Sequence, residues 1–296
     1  MNNSQYCVID LSAGAAAKSY PVSYMDTMPK DGWGDEFKTM KLVLRLIPAG
    51  TFMMGKKGCG ENRRYRNEEH KVTLTKSYYI GVFPVTQKQW ELVMGTREDF
   101  TVFGEAADAD LRPIDIIKYT DIRGKKGVDW PAVRDVGPKS FIGLLRKRTK
   151  LGALDLPTEA QWECACRAGS LDDFGALAGD KKGNPQDMGW YQENSNKETH
   201  PVGLKKCNGL GLYDMHGNVD EWCLDFDCDG GLTADDAVDP EGPRNPSSNE
   251  YRRVVRGGCY ETWMEYAGCA NRSSTQARKD SSYSFGHGLR LAMTVV

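Results

Sequence analysis

Gly211-Leu212-Tyr213-Asp214-Met215-His216-Gly217-Asn218-Val219-Asp220-Glu221-Trp222 sets a tight Gly-Asn pair between apolar and aromatic residues. Glycine and asparagine accept turn backbone that most residues resist. Gly217 and Asn218 therefore predict a bend that can aim several carbonyls to one side. Upstream, Leu156-Pro157-Thr158-Glu159-Ala160-Gln161-Trp162-Glu163 has the form of a helix start. Thr158 is an N-cap and Gln161 occupies the third helical position, which makes a capping box. That helix is expected to run to about Ala168 and stop at Gly169. Downstream, Arg253 to Gly258 reads as a short strand, Asn271 to His287 as a polar stretch, and Leu289 to Val296 as a closing strand.

Toward the N-terminus the pattern is strand-rich. Residues 1–40 read as an N-terminal extension packed on the domain, with a strand at Tyr6 to Leu11. Strands are expected at Leu42–Ile47, Thr51–Met54, His70–Leu74 and Tyr78–Val82. Thr86 caps a helix over Gln87–Met94 whose Trp90, Val93 and Met94 share one face. Gly95 to Asp135 reads as irregular. A second amphipathic helix over Lys139–Thr149 turns Phe141, Leu144 and Leu145 inward. No stretch is long enough to be a linker, so residues 41–296 are expected to form one domain.

The 32 glycines, 13 prolines, 7 tryptophans and 13 tyrosines point to loop-rich structure pinned by large aromatics. The formal net charge is -2 and charges are mixed in sign, which leaves no footprint for nucleic acid and no polybasic membrane tail. No apolar run reaches the roughly 18 residues of a membrane span. Met1 to Tyr20 lacks the basic-then-apolar form of a signal peptide, and the compartment stays open. The odd count of 9 cysteines leaves one thiol unpaired in a monomer. Reduced, packed thiols are the preferred reading, because Cys164-x-Cys166 and Cys223-x4-Cys228 have neither a second matching pair nor a histidine nearby in sequence. The four histidines, His70, His200, His216 and His287, are not spaced for a facial triad.

Six blocks recur in one order: Ile47–Gly55, Tyr79–Thr86, Leu156–Glu163, Gly211–Val219, Arg256-Gly257-Gly258 and Gly288–Ala292. In these the chain resembles the formylglycine-generating-enzyme (sulfatase-modifying factor) family over about Lys41 to Val296. The resemblance implies an α+β, C-type-lectin-like fold of the formylglycine-generating-enzyme type, with much irregular structure. Active members oxidise a sulfatase cysteine with copper held by two cysteines shortly after the Gly-Gly. Aligned without gaps, those positions hold Thr262 and Ala267, which cannot bind copper(I). Copper is therefore not expected there, and no catalytic residue is assigned. The alternative, a copper-dependent oxidase, would need Cys259 and Cys269 in a different geometry. The resemblance also implies a structural calcium at carbonyls of His216, Gly217 and Val219 and the carboxylate of Glu221.

The chain further resembles the variable proteins of diversity-generating retroelements, in which codons of the C-terminal binding face are randomised through adenines. The expected ligand-binding positions are Cys259, Tyr260, Thr262, Trp263, Tyr266, Gly268, Asn271, Ser273, Ser274, Ser281, Ser282, Tyr283, Ser284, Phe285 and His287. Tyrosine and tryptophan give contact area at low entropy cost, and serine gives adaptable hydrogen bonds. The sequence therefore predicts a non-catalytic domain that binds a partner, expected to be a protein.

Overall fold

The computed structural model describes residues 4–57, 68–177, 181–182, 184–228, 236–245, 251–277 and 286–295. Its main sheet has six strands in the order Val22–Met25, Tyr6–Asp10, Lys41–Ile47, Tyr78–Gly81, Ala292–Thr294, Leu154–Asp155. Every pairing in it is antiparallel, with Tyr6 opposite Arg45, Leu44 opposite Gly81 and Ala292 opposite Ile80. Residues 1–40 supply two strands that extend the sheet beyond Lys41–Ile47. Tyr6, Cys7, Val8 and Ile9 are all buried, so this edge is part of the core.

The three longest helices form where local signals agree. Gln87–Met94 begins at a Thr86 and Gln89 capping box and ends at Gly95 in left-handed backbone. Phe141–Thr149 is capped by the Ser140 side chain. Glu159–Arg167 begins at the Thr158 and Gln161 capping box and ends at Ala168, whose φ of 48° closes the helix one residue before Gly169. Trp90 and Phe141 stack with ring centroids 4.7 Å apart, joining the first two helices. The stretch from Gly95 to Asp135 contains one short helix, Tyr119–Arg123, among 3-10 turns.

A second sheet carries the C-terminal face. Its order is Arg272–Gln276, Arg252–Arg256, Asp220–Phe226, His287–Gly288, with the last pairing parallel. A three-stranded sheet joins Ala237–Val238, His70–Leu74 and Gly50–Met54. Trp162 sits between the helix Glu159–Arg167 and the second sheet, fully buried. No described helix is long and apolar enough to cross a membrane.

Candidate functional site: the C-terminal face

The floor of this face is a set of buried charges. Glu163 accepts from Arg167 Nε at 2.8 Å and from Gly55 N at 2.7 Å, and its other oxygen accepts from Arg256 Nη2. Glu159 accepts from Arg272 Nε at 2.9 Å, while Arg272 Nη1 reaches Asp227 at 3.0 Å. Arg256 also donates to the carbonyl of Asn271 and lies 5.1 Å over the Trp162 ring. Interior charges survive only when paired and hydrogen-bonded. Here the pairing ties a helix to two strands of the sheet.

Gly257 and Gly258 end the strand Arg252–Arg256 with φ of 97° and 74°. That left-handed backbone favours glycine. It turns the chain into the segment 259–271. This segment is anchored largely by its main chain. Tyr260 N donates to Asn218 O at 3.0 Å, Gln192 N to Thr262 O at 3.0 Å, and Cys269 N to Asp173 O at 2.6 Å. Met264 N donates to the Glu193 carboxylate at 3.1 Å. Beside the segment opens a cavity of about 380 Å³ lined by Asp220, Gly258, Thr262, Tyr266, Asn271 and Ser273, among others. Burial pushes the Asp220 carboxyl up to about 6, while nearby His287 and the Gly258 amide, 3.0 Å from Oδ1, work to lower it.

The expected binding positions divide into groups. Trp263 and Tyr266 are 52% and 55% exposed, and Tyr266 also lines the cavity. Ser273 is exposed, and Thr262, Ser274 and His287 are half-buried. Tyr260, Cys259, Gly268 and Asn271 are buried. Tyr260 packs edge-on against Phe103 at 5.5 Å, and its carbonyl accepts from Ser195 Oγ at 2.7 Å. In this arrangement it supports the segment from below. Ser281, Ser282, Tyr283, Ser284 and Phe285 lie outside the described residues.

Thr262 and Ala267 both flank Gly258. A methyl placed on Gly258 would lie 3.0 Å from Thr262 Cγ2 and 3.1 Å from Ala267 Cβ. The two positions that the family resemblance assigns to copper thus lie against one glycine, and both carry groups without sulfur. Copper does not fit that spot. Cys259 and Cys269 have different surroundings. Cys259 Sγ lies 3.5 Å from Thr262 Oγ1, and Cys269 Sγ lies 3.2 Å from Cys166 Sγ.

The calcium positions also have other partners. Glu221 Oε1 accepts from Arg290 Nε and Nη2 at 3.1 and 2.7 Å, and Oε2 accepts from Arg290 Nε and Trp162 Nε1 at 2.9 and 2.6 Å. Two donors per oxygen use the capacity of a carboxylate. His216 and Gly217 pair in a parallel bridge with Gly189 and Trp190. A calcium ion would have to displace Arg290, so this carboxylate does not fit the cation. Asn218 does hold the turn, at φ of 62°, and its side chain bonds the His200 backbone in both directions at 3.0 Å.

Sequence reasoning passes over two features. Asp220, to which the sequence assigns no role, lines the cavity. Cys166 and Cys269 converge with His216, although the spacing of Cys164 and Cys166 gives no sign of it.

Short mixed sheets, a few capped helices and a loop face held by its main chain define a C-type-lectin-like scaffold. The chain belongs to the sulfatase-modifying factor family: the Sulfatase-modifying factor enzyme 1-like domain matches residues 37–295. It is 29% identical over 210 residues to Chaperone protein LppX of Paenibacillus barcinonensis, covering 62% of this chain and 71% of that one. It is 27% identical over 275 residues to Serine/threonine-protein kinase Pkn1 of Chlamydia trachomatis, covering 85% of this chain and 39% of that one. Formylglycine-generating enzyme of Bos taurus is 36% identical over 143 residues, which is 44% of this chain and 36% of the enzyme. The chain therefore spans less than half the length of the kinase and of the bovine enzyme. The solved structure of Treponema denticola variable protein 1 shares the fold, with a TM-score of 0.68 and 24% identity over 86% of this chain and 96% of that one.

Proposed function

We propose that this chain is a non-catalytic recognition domain whose C-terminal face binds a protein partner. One observation carries the reading: Thr262 and Ala267 place methyl groups at the copper positions, beneath a rim with exposed Trp263 and Tyr266. Aromatic anchors carry much of the energy of protein interfaces, and they need no preset chemistry. The cavity beside them offers a carboxyl group at Asp220 and polar groups at Asn271 and Ser273. The likeness of fold to a variable protein supports the further reading that this face is diversified through a retroelement. The genomic DNA beside the gene tests that part. A reverse transcriptase and a near-copy of the segment coding for 259–287 are expected, with differences confined to adenines of the copy. Their absence would remove the retroelement from the proposal.

The runner-up is copper-dependent oxidation of a sulfatase-like cysteine, which family membership favours. Incubation with copper(I), oxygen and a cysteine-containing sulfatase peptide, read by mass spectrometry, separates the two. No aldehyde is expected. Aldehyde that vanishes in Cys269→Ser would replace the recognition reading with catalysis.

A further inference from the structure

Three buried side chains from distant parts of the chain meet behind the C-terminal face. Cys166 lies in the last turn of the helix Glu159–Arg167, His216 opens the short strand His216–Gly217, and Cys269 precedes the strand Arg272–Gln276. None is more than 1% exposed. Cys166 Sγ lies 3.2 Å from Cys269 Sγ and 3.6 Å from His216 Nε2. The three candidate ligand atoms all fall within 4.8 Å of one another. His216 Nδ1 lies 2.8 Å from the carbonyl of Ala267. A carbonyl can only accept, so Nδ1 carries a proton, and Nε2 is the nitrogen that faces the sulfurs and can ligate a metal once it has no proton. Tying the outer nitrogen to a carbonyl is how metal-binding imidazoles are commonly oriented.

We propose that Cys166, Cys269 and His216 form a buried site for a copper(I) ion, bound by two thiolates and one imidazole nitrogen. The choice of metal follows from the ligand set. Thiolates select copper(I) and zinc over harder ions. Zinc completes a tetrahedron with a fourth protein ligand or a water. Among the described residues the cluster has three members, and its burial leaves no face open to solvent. Copper(I) is a closed-shell ion that accepts three soft ligands without a fourth. With metal–sulfur bonds of about 2.3 Å, the sulfurs of a trigonal site stand about 4 Å apart. The thiols must part by less than about 1 Å, and rotation about χ1 can supply that. Binding releases the two thiol protons to solvent, and no electron transfer is involved. Arg167 and Arg256 pair with Glu163, and Arg256 Nε also lies 3.6 Å from Glu159; both guanidinium groups favour the Cys269 thiolate or the Cys166 thiolate through space.

This site is distinct from the one the family resemblance implies at Thr262 and Ala267, and no substrate can reach it. Its role is to pin the helix end, the Gly217 turn and the segment carrying Trp263 and Tyr266 to one point. The test uses the full chain, reduced and freed of metal. It is titrated with copper(I) against a chromophoric copper(I) chelator, and with zinc(II) in parallel. Wild type is expected to bind one copper(I) more than Cys269→Ser, at an affinity at least ~100-fold above the residual sites. Cys164→Ser, which lies outside the cluster, is expected to bind as wild type does. X-ray absorption of the loaded wild type is expected to show two sulfur neighbours and one nitrogen; this measurement decides the matter if Cys269→Ser fails to fold. The proposal is overturned by equal copper binding in wild type and a folded Cys269→Ser, or by absorption spectra without the nitrogen. Zinc displacing copper at equal concentration, or a Cys166–Cys269 disulfide that persists under thiol reductant, would overturn it as well.

Discussion

Replacing Glu221 by glutamine should cost this protein a large share of its stability. Glu221 and Arg290 are 1% and 0% exposed. The carboxylate receives three contacts from Arg290, between 2.7 and 3.1 Å, and one from Trp162 Nε1 at 2.6 Å. Arg290 also donates to the carbonyls of Gly81 and Tyr213, each at 2.8 Å, linking the main sheet to the turn before His216. Glu221→Gln keeps the shape but leaves a guanidinium buried without a counter-charge. Removing one partner of a buried ion pair costs about 3–5 kcal/mol. Glutamine still offers one carbonyl to accept from Arg290, so the lower end, about 3 kcal/mol, is expected. At about 2–4 °C per kcal/mol for a chain of this size class, the melting temperature should fall by about 6–12 °C. Urea unfolding followed by tryptophan fluorescence measures the free energy, and calorimetry the melting temperature. Glu91→Gln, which removes a surface partner of Lys88, serves as the control and should stay within about 0.5 kcal/mol. A loss under about 1 kcal/mol for Glu221→Gln would refute the ion-pair reasoning. So would a wild type that loses several degrees to a calcium chelator while Glu221→Gln does not, because the carboxylate would then be holding a cation.

Asp225 is buried beside Glu159, and burial first, then that neighbouring carboxylate, pushes its carboxyl up to about 7. A carboxyl raised above its unfolded value of about 3.9 is more protonated in the folded state, so stability is lost as pH rises from about 4 to about 7. Asp225→Asn should therefore gain about 2–3 kcal/mol relative to wild type between pH 5 and pH 8, measured by urea unfolding at both pH values; equal differences at the two would count against it. Gly258→Ala puts a methyl 3.0 Å from Thr262 Cγ2 at a φ of 74°, and should cost about 1–3 kcal/mol in the same assay; a neutral result would mean that the segment can relax. Trp263→Ala and Tyr266→Ala remove exposed rings and should change stability by about 0.5 kcal/mol or less. On the recognition reading, the same two variants should weaken binding to an identified partner at least tenfold by calorimetry. Unchanged binding would place the contact surface elsewhere.

Features set by near neighbours along the chain are legible in the sequence. The N-cap at Thr86 and the capping box of Thr158 with Gln161 are decided within four residues, and the strands flanking Pro48 by short apolar runs broken at Pro48-Ala49-Gly50. Thr262 and Ala267 are copper-incompetent by residue type alone. Long-range features are not legible in that way. Cys166 meets His216 across 50 residues and Cys269 across 103, and no spacing rule reaches that far. The pairing of Glu221 with Arg290 spans 69 residues, which is why the carboxylate looks free for calcium in the sequence. The strand Tyr6–Asp10 is legible, but not its place in the sheet, because the sequence cannot show that Lys41–Ile47 has an open edge to receive it.

The segment after Gly258 hangs from its peptide groups: Gln192, Glu193, Asp173 and Asn218 all grip backbone atoms rather than side chains. A loop fastened in that way depends little on the side chains of its exposed positions, such as Trp263 and Tyr266. Mutation can therefore explore the outward positions at little risk to folding, while the salt-linked interior is left undisturbed. The architecture separates a salt-linked interior from exposed positions whose side chains few internal contacts constrain.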